Sequence, residues 1–264
     1  MGTIKIALAG PRGKMGQEAI KAIFQEENLE IVAWIDRVID ANFVSQVEHI
    51  YGVKLPVYVD AALCFQKEAV DVLIDLTTPE IGKVHTQIAV DNGVRPVVGT
   101  TGFTSEDLKE LQKTCEKKQM GCIIAPNFAI GAVLLMKFAQ IAVKYMPYAE
   151  IIELHHDGKK DAPSGTALKT AQLMEAAGNP AQNQNHMFPA QGLNAHGYNI
   201  HSVRLPGMVA HQEVIFGGDG QTLTLRHDSF NRASFMSGLI MCVNKIMDLH
   251  TLVYGLENLL DDEA

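Results

Sequence analysis

The feature that most constrains the fold is an apolar segment near the start of the chain that leads directly into a glycine-rich turn. Residues 3–9 (Thr-Ile-Lys-Ile-Ala-Leu-Ala) are nearly all apolar, as in a strand buried on both faces of a parallel sheet. The turn at residues 10–16, an amphipathic segment to about Glu26 and a second apolar run at residues 29–35 follow in order. This succession predicts a strand, helix and strand unit of a parallel sheet.

The glycines of the turn are Gly10, Gly13 and Gly16, and an acidic residue, Asp36, follows the second strand. In a dinucleotide-binding turn the first glycine permits a sharp turn, the second lets the backbone approach a pyrophosphate, and the third lets the helix pack on the strand. Asp36 lies 20 residues beyond Gly16, where an acidic residue reaches the ribose hydroxyls in such folds. The triplet alone fits an ordinary tight turn equally well, but its context favours a dinucleotide site.

The residues around the turn leave the choice of nucleotide open. Asp36 favours an adenosine ribose with a free 2′-hydroxyl, whereas Arg37 beside it can accommodate a 2′-phosphate. Arg12 and Lys14 are further cations for phosphate, and Arg37 fits a solvated loop charge equally well. We therefore expect both NADH and NADPH to serve as cofactors.

Strands and helices continue to alternate through the first half of the chain. Strands are predicted at residues 57–59, 70–76, 96–98 and 121–125, and helices at residues 61–67, from Pro79 onward, and at 105–118. Such alternation predicts an α/β fold with a Rossmann-like doubly wound parallel sheet, which binds ligands at the carboxyl ends of its strands. Those ends carry small, hydroxylated or amide residues, which favour a cofactor cleft, although threonine pairs also serve as helix caps: Thr77, Thr78, Gly99, Thr100, Thr101, Pro126 and Asn127.

A second informative segment, residues 150–168, collects reactive side chains where an apolar strand ends. A Pro-Ser-Gly-Thr turn follows them and leads into a predicted helix. A helix start of this kind presents backbone N–H groups and hydroxyls to an anion. The segment therefore predicts the active site of an enzyme for a small carboxylate substrate, built from His155, His156, Lys159, Ser164, Gly165 and Thr166, with Lys160 as a solvated neighbour that adds positive charge.

The second half of the chain predicts an α+β domain with an open mixed sheet. A helix at residues 130–145 leads away from the first domain, and strands at about 200–205, 209–216 and 223–228 follow, with a hairpin turn at 217–220. Residues 178–199 are predicted to form a long loop that acts as a mobile lid. We expect a dinucleotide-binding domain at residues 1–128, completed by the last helix and the segment from about 241 to 264, and a substrate-binding and oligomerisation domain at residues 129–240.

The apolar residues of this second sheet predict an oligomer. They exceed what one helix of about 15 residues can cover, so we expect another subunit to bury the remaining face of the sheet. The residues concerned are Val203, Leu205, Val209, Val214, Ile215, Phe216, Leu223 and Leu225.

Composition and charge argue against several other classes of protein. The formal net charge of −8, with no predominantly basic stretch, argues against a nucleic-acid partner. The four cysteines form no C-x-x-C pair, which argues against a disulfide framework or a zinc site. No apolar run approaches the roughly 20 residues of a membrane span, and no signal-peptide pattern opens the sequence, so we expect a cytoplasmic protein without a membrane partner.

Four blocks of the sequence together resemble the dihydrodipicolinate reductase family, over residues 4 to about 253. They are Gly-Pro-Arg-Gly-Lys-Met-Gly at 10–16, Gly-Thr-Thr-Gly at 99–102, Ala-Pro-Asn-Phe at 125–128 and, most specific, His-His-Asp-Gly-Lys-Lys-Asp-Ala-Pro-Ser-Gly-Thr at 155–166. Members of that family reduce a cyclic unsaturated dicarboxylate with NADH or NADPH in lysine and diaminopimelate biosynthesis. They are usually homotetramers joined through the second-domain sheet, and the resemblance implies the same for this chain.

The resemblance also implies roles for individual residues. His155 would donate or accept a proton, and Lys159 would donate the proton that neutralises the charge built up by hydride addition. His156, Gly165 and Thr166 would bind substrate. Gln191 stands where relatives often carry an arginine, and Lys14 where arginine is also common. Cofactor binding is implied for Gly10, Pro11, Arg12, Gly13, Lys14, Met15, Asp36, Arg37, Gly99, Thr100, Thr101, Ala125, Pro126, Asn127 and Phe128.

Several alternatives remain beside this hypothesis. Adjacent histidines on a regular strand point to opposite faces, so roles for both His155 and His156 require the strand to end or twist at His155. A metal site is disfavoured because the histidine pair lacks a suitably spaced third ligand, and no metal is expected. Another NAD(P)-linked enzyme, such as an amino-acid dehydrogenase, is disfavoured by residues 159–166. A nucleotide sensor without chemistry is disfavoured by His155 and Lys159.

Overall fold

The computed structural model describes residues 2–178 and 189–260. The strands are β1 (Ile4–Ala9), β2 (Leu29–Ile35), β3 (Val57–Tyr58), β4 (Val72–Asp75), β5 (Arg95–Val98), β6 (Cys122–Ile124), β7 (Tyr148–His155), β8 (Leu193–Ala195), β9 (Tyr198–Arg204), β10 (Ala210–Gly218), β11 (Gln221–Ser229) and β12 (Leu252–Tyr254). The α-helices are α1 (Lys14–Ile23), α2 (Ala41–Tyr51), α3 (Ala61–Lys67), α4 (Pro79–Asp91), α5 (Ser105–Lys118), α6 (Ile130–Ala142), α7 (Gly165–Ala177) and α8 (Met236–Lys245).

The chain divides into two compact units. The first runs to Phe128 and resumes at Phe235, and the second spans Ala129 to Ser234. Across the described residues no helix is long and apolar enough to span a bilayer.

The first unit contains a seven-stranded parallel sheet in the order β12-β6-β5-β4-β1-β2-β3. Residues 6–9 of β1 are fully buried, which explains the unbroken apolar run in the sequence. β1 lies between β2 and β4, so the connections leave it in opposite directions and create a crevice at the carboxyl ends of β1 and β4. The predicted doubly wound sheet is confirmed.

Local sequence signals set the starts of several helices in this unit. The side chain of Asp40 accepts hydrogen bonds from the backbone at the start of α2, and Asp60 does the same for α3. Thr104 and Asp107 form a reciprocal capping box at the start of α5. These caps satisfy backbone N–H groups that have no partner within the helix.

Two elements of the first unit were not predicted. α2 buries only Val47, so it lacks the wide buried apolar face of a core helix. β12 is three residues long and pairs with β6 at the sheet edge, where too few residues alternate to give a sequence signal.

The second unit contains a five-stranded mixed sheet in the order β11-β10-β7-β9-β8, in which only the β7–β9 pair is parallel among the described strands. β10 and β11 are joined by the predicted hairpin turn, with Gly220 at a positive φ of 70°. Helices α6 and α7 pack on one face of the sheet and complete its core. The predicted second domain with an open mixed sheet is confirmed.

The expectation that one helix covers this sheet is wrong. α6 and α7 both pack on it, and Val214 and Phe216 are fully buried in their shared core. The opposite face carries ion pairs as well as half-buried apolar side chains. Those pairs are Glu213 with Arg226 at 2.7 Å, His211 with Asp228 at 2.7 Å and Glu150 with His201 at 2.7 Å. The apolar count overestimated the uncovered surface because alternate strand residues face α6 and α7.

The prediction of a long loop at residues 178–199 is also wrong in part. β8 and the start of β9 form an antiparallel pair within that interval, with Leu193 opposite Ile200. The segment 179–188, which is part of the proposed lid, lies outside the described residues.

Candidate active site

The glycine turn of the first unit has the close backbone packing that its sequence predicts. Gly10 has a φ of 78°, a conformation that favours glycine, and its carbonyl accepts a hydrogen bond from Gly13 N at 3.1 Å. A Cβ at Gly16 would lie 2.2 Å from Gly10 O and 2.8 Å from Pro11 Cα, so only glycine fits there. Because α1 begins at Lys14, Gly16 belongs to its first turn, with Met15 beside it.

The start of α1 has the features of an anion site. Gly13 is the cap residue and provides no side-chain hydrogen bond to the helix. The first turn of α1 contains no acidic residue. Backbone N–H groups at such a helix start are suited to a phosphate, with Lys14 as an adjacent cation.

Asp36 lies at the end of β2 and is bound by Arg12 from the glycine turn. Arg12 Nε and Nη2 donate to the two Asp36 oxygens at 2.8 and 2.7 Å, and Arg12 Nη1 lies 3.6 Å from Asp40. The hydrogen bonds from Arg12 hold the pKa of Asp36 below its usual value against the opposing effect of burial. Arg37 is exposed. The sequence named all these residues but did not show that Arg12 pairs with Asp36.

A cavity of about 250 Å³ opens beside the carboxyl ends of β4, β5 and β6. Gly99 packs closely at its wall, because a Cβ there would lie 2.8 Å from Leu76 Cδ2 and 2.9 Å from Phe128 Cε2, and these side chains would have to shift. Of the remaining predicted residues in this region, Thr101 is exposed and Ala125 is buried at the end of β6. The cavity brings six predicted cofactor residues together with three others: Met15, Gly99, Thr100, Pro126, Asn127 and Phe128, with Leu76, Thr77 and Phe235.

The polar groups beside this cavity fit a polar ligand. Asp75 is fully buried, accepts hydrogen bonds from Thr77 N at 3.0 Å and Thr77 Oγ1 at 2.6 Å, and lies 2.7 Å from His85 Nδ1. Thr100 Oγ1 is buried and has no hydrogen-bond partner among the described residues. A buried hydroxyl in this state calls for a ligand or water partner. The residues present therefore fit a nicotinamide nucleotide.

In the second unit, β7 ends at His155, so His156 lies beyond the regular strand and is exposed. The strand therefore ends where roles for both histidines require it to end. His155 Nδ1 lies 2.5 Å from an oxygen of Glu153, which is fully buried. Arg204, on β9, donates to both Glu153 oxygens at 2.9 and 2.7 Å.

These contacts determine the charge of Glu153. Burial pushes the pKa of Glu153 upward, but hydrogen bonds from His155, Arg204 and Ser202 outweigh burial and hold the pKa at about 2. Glu153 is therefore a carboxylate at neutral pH.

Lys159 lies in the turn that follows β7. Its backbone N–H donates to His156 O at 3.1 Å, and its ammonium lies 2.8 Å from Asp161 Oδ1. The Lys159 side chain is 22% exposed, whereas Lys160 is exposed. The turn thus places an ammonium within four residues of His155 without burying it completely.

α7 begins immediately after this turn. Ser164 is buried and caps the helix by accepting from Ala167 N at 3.2 Å, and its own N–H donates to Glu153 at 3.2 Å. Gly165 is exposed, and no atom lies within 4 Å of the place where its Cβ would stand. Thr166 is half-buried in the first turn. The helix start is therefore open on the side of Gly165 and suited to a carboxylate.

Sequence reasoning missed Glu153, Arg204 and Phe235. One signal could have identified Glu153, because strand alternation puts it on the same face as the buried Ile151. A carboxylate at a buried strand position needs a charged partner. Nothing local identifies Arg204 as that partner, because it lies 51 residues away.

The first unit has a doubly wound sheet with a glycine turn suited to a nucleotide, and the second has a half-buried imidazole and ammonium next to an open helix start. Together these features define a two-domain NAD(P)-dependent oxidoreductase. Among the described residues no group of three or more His, Cys, Asp or Glu side chains is arranged to hold a metal ion.

Comparison with known proteins specifies the family. Residues 4–128 match the family model described as Dihydrodipicolinate reductase, N-terminus, and residues 131–260 match the model described as Dihydrodipicolinate reductase, C-terminus. The chain therefore belongs to the dihydrodipicolinate reductase family.

Individual relatives agree with this assignment. The chain is 59% and 56% identical to the 4-hydroxy-tetrahydrodipicolinate reductases of Geobacillus kaustophilus (strain HTA426) and Halalkalibacterium halodurans, over 98% of this chain and 100% of each relative. A dipicolinate-bound dihydrodipicolinate reductase from Paenisporosarcina sp. TG-14 is 47% identical, with a TM-score of 0.85 over 97% of this chain and 99% of that one. A myo-inositol 2-dehydrogenase from Lactobacillus plantarum, 11% identical with a TM-score of 0.65, shares the fold alone.

Proposed function

We propose that this chain reduces 4-hydroxy-tetrahydrodipicolinate to tetrahydrodipicolinate with NADH or NADPH, a step of lysine and diaminopimelate biosynthesis. The observation that carries the proposal is the arrangement at residues 153–166, where an imidazole, an ammonium and an open helix start follow one strand. Dipicolinate, named as the molecule bound to the Paenisporosarcina relative, is a dicarboxylate, which supports a substrate of that class.

The first unit holds the nucleotide in this proposal, and the reduced nicotinamide supplies the hydride when it is bound. The backbone of the glycine turn and the start of α1 receive the phosphates, and Arg12, Asp36 and Arg37 contact the adenosine ribose. The cavity receives the nicotinamide end. The residues assigned to these contacts are Gly10, Pro11, Gly13, Lys14 and Met15 for the phosphates, and Gly99, Thr100, Thr101, Ala125, Pro126, Asn127 and Phe128 for the nicotinamide end.

The second unit supplies the proton and holds the substrate. Lys159 donates the proton because an ammonium both attracts a dianionic substrate and can release a proton to it. His155 donates or accepts a proton beside it. His156, Gly165 and Thr166 bind a substrate carboxylate, and the missing side chain at Gly165 leaves room for that group at the helix start.

We also propose a cytoplasmic homotetramer in which subunits meet through the sheet of the second unit, and we propose that this unit, Ala129 to Ser234, is the substrate-binding and oligomerisation domain. The exposed apolar side chains Leu205 and Tyr148 beside the charged face support such a contact. A measured mass of four times the chain mass by sedimentation equilibrium is the expected result.

The proposed function is tested by following the absorbance of NADH, and separately of NADPH, with the substrate generated in situ by the preceding synthase. Turnover with either nucleotide is expected, and the ratio of the two kcat/KM values gives the preference. If both nucleotides bound and neither was consumed, the protein would be a nucleotide sensor and not an enzyme.

A further inference from the structure

We propose that Glu153 is a positioning residue that determines which nitrogen of His155 carries the proton and that joins His155 to the start of α7. This inference rests on the proposed function, because it explains how His155 presents its reactive nitrogen. It assigns a role to a buried carboxylate that the sequence did not single out.

The environment of Glu153 is the first part of the argument. Its side chain is fully buried, and the Ser202 side chain is a hydrogen-bond partner in addition to the contacts of its two oxygens with His155, Arg204 and Ser164. Oε2 lies 2.5 Å from His155 Nδ1 and accepts from Arg204 Nη1 at 2.9 Å. Oε1 accepts from Arg204 Nη2 at 2.7 Å and from Ser164 N at 3.2 Å. A carboxylate with this set of partners is held in one orientation.

The tautomer of His155 follows from these partners. An ionised carboxylate only accepts hydrogen bonds, so the hydrogen between His155 and Glu153 belongs to Nδ1 of the imidazole. In the neutral ring Nε2 is then the unprotonated nitrogen, which is the one available to a reacting group. Without a fixed acceptor at Nδ1, the proton on the neutral ring would distribute over both nitrogens, and part of the population would be misprotonated.

The same carboxylate also binds the start of α7, where the substrate carboxylate is proposed to bind. Ser164 is the cap residue of α7, and its N–H bonds to Glu153 while its hydroxyl caps the helix. Arg204 in addition donates to the backbone oxygen of Asp161, the residue whose side chain pairs with Lys159. One buried charge pair therefore contacts the segments that bear His155, Lys159 and Gly165.

A substitution of Glu153 by Gln has a specific expected effect because it replaces one of the two acceptor oxygens by an NH₂ group, which only donates. If the new amide nitrogen faced Ser164, it would meet two N–H donors, Ser164 N and Arg204 Nη2. If it faces His155, it meets one N–H donor, Arg204 Nη1, and a ring that can accept at Nδ1 by moving its proton to Nε2. The second orientation therefore leaves fewer donors without an acceptor. Glu153→Gln is thus expected to reverse the tautomer of His155.

The test combines spectroscopy with kinetics on the full-length protein. Magic-angle-spinning ¹⁵N NMR of histidine-labelled protein, at a pH where the rings are neutral, reports the protonated nitrogen of each histidine, and a His155→Gln protein assigns the His155 signal. The wild type is expected to show protonated Nδ1 at His155, and Glu153→Gln protonated Nε2. In the coupled assay Glu153→Gln is expected to lower kcat about 100-fold, the low end of what general acid–base catalysis contributes, while the Kd for NADPH stays the same.

A matched control is available in another glutamate–histidine pair. Glu175 lies 2.7 Å from His196 Nδ1, and both side chains are substantially exposed. Glu175→Gln removes the same kind of pair outside the proposed site and is expected to leave kcat and the His155 signal unchanged.

Two results would overturn the inference while leaving the proposed function intact. One is a wild-type enzyme that turns over with His155 protonated at Nε2, a measurement that does not depend on whether any Glu153 variant folds. The other is a folded Glu153→Gln protein with wild-type kcat. A wild type that consumes neither nucleotide, in contrast, would remove the proposed function itself, whatever the tautomer.

Discussion

Arg12 and Asp36 form a two-point ion pair that joins the glycine turn to the end of the second strand, with N–O distances of 2.8 and 2.7 Å. Asp36, the side chain expected to bind the ribose hydroxyls, is therefore already bound by Arg12 from the glycine turn. A 2′-phosphate placed near this pair would attract Arg12 and repel Asp36, whereas ribose hydroxyls would compete with Arg12 for Asp36.

We predict that Arg12→Ala weakens NADPH binding about tenfold or more, since a hydrogen bond to a charged group contributes about 1.5–3 kcal/mol. NADH binding should change less, because Asp36 then becomes free for the ribose hydroxyls. The measurement is the Kd of each nucleotide by fluorescence titration. Arg37→Ala removes the other arginine assigned to the ribose, at an exposed position, and is the matched comparison. If Arg37→Ala shifted the preference and Arg12→Ala did not, Arg37 would be the determinant.

A second prediction concerns Lys159 and its neighbour. Lys159→Ala should lower kcat by about 10²–10⁴, the range for loss of a general acid, with little change in thermal stability because the ammonium is partly exposed. Lys160→Ala removes the same charge one residue away, at an exposed position, and should behave like the wild type. Full activity of Lys159→Ala in the coupled assay would eliminate its role as proton donor.

The third prediction is a pH dependence of stability. The pKa of Glu153 is about 2 in the folded protein against an ordinary value of 4.5, so its ionised form stabilises the fold. This contribution is complete above pH 4.5 and is lost as the pH falls toward 2, and it amounts to about 3 kcal/mol at neutral pH. Urea unfolding from pH 7 down to pH 3 should show a shallower loss of stability for Glu153→Gln than for the wild type or Glu175→Gln. Parallel curves for all three would show that Glu153 does not contribute.

The fourth prediction tests the packing of the glycine turn. Gly16→Ala would place a methyl group 2.2 Å from Gly10 O, so the turn must move away from α1, at a cost of about 1–3 kcal/mol. We expect weaker binding of both NADH and NADPH and a lower Tm. Gly217→Ala, where no atom lies within 4 Å of the added methyl group, is the control. Unchanged nucleotide affinity in Gly16→Ala would show that the turn does not need this close contact.

The sequence by itself determined most of the succession of elements and the type of each sheet, with α2, β8 and β12 as the exceptions. Apolar runs, helix caps and the glycine turn are local patterns, so the parallel sheet, the end of β7 at His155 and the start of α7 could all be predicted from neighbouring residues. The nucleotide turn was predictable for the same reason, since Gly10, Gly13 and Gly16 lie within one stretch of seven residues.

Only the tertiary structure decided which of these residues meet. Arg12 reaches Asp36 across 24 residues, Glu153 meets Arg204 across 51, and Phe235 lies at the same cavity as Met15. The packing of α6 beside α7 likewise depends on sheet order and register rather than on the sequence of either helix. The physical reason is that periodicity and capping act within a few residues, whereas a buried ion pair forms only after the strands that carry its two members have aligned.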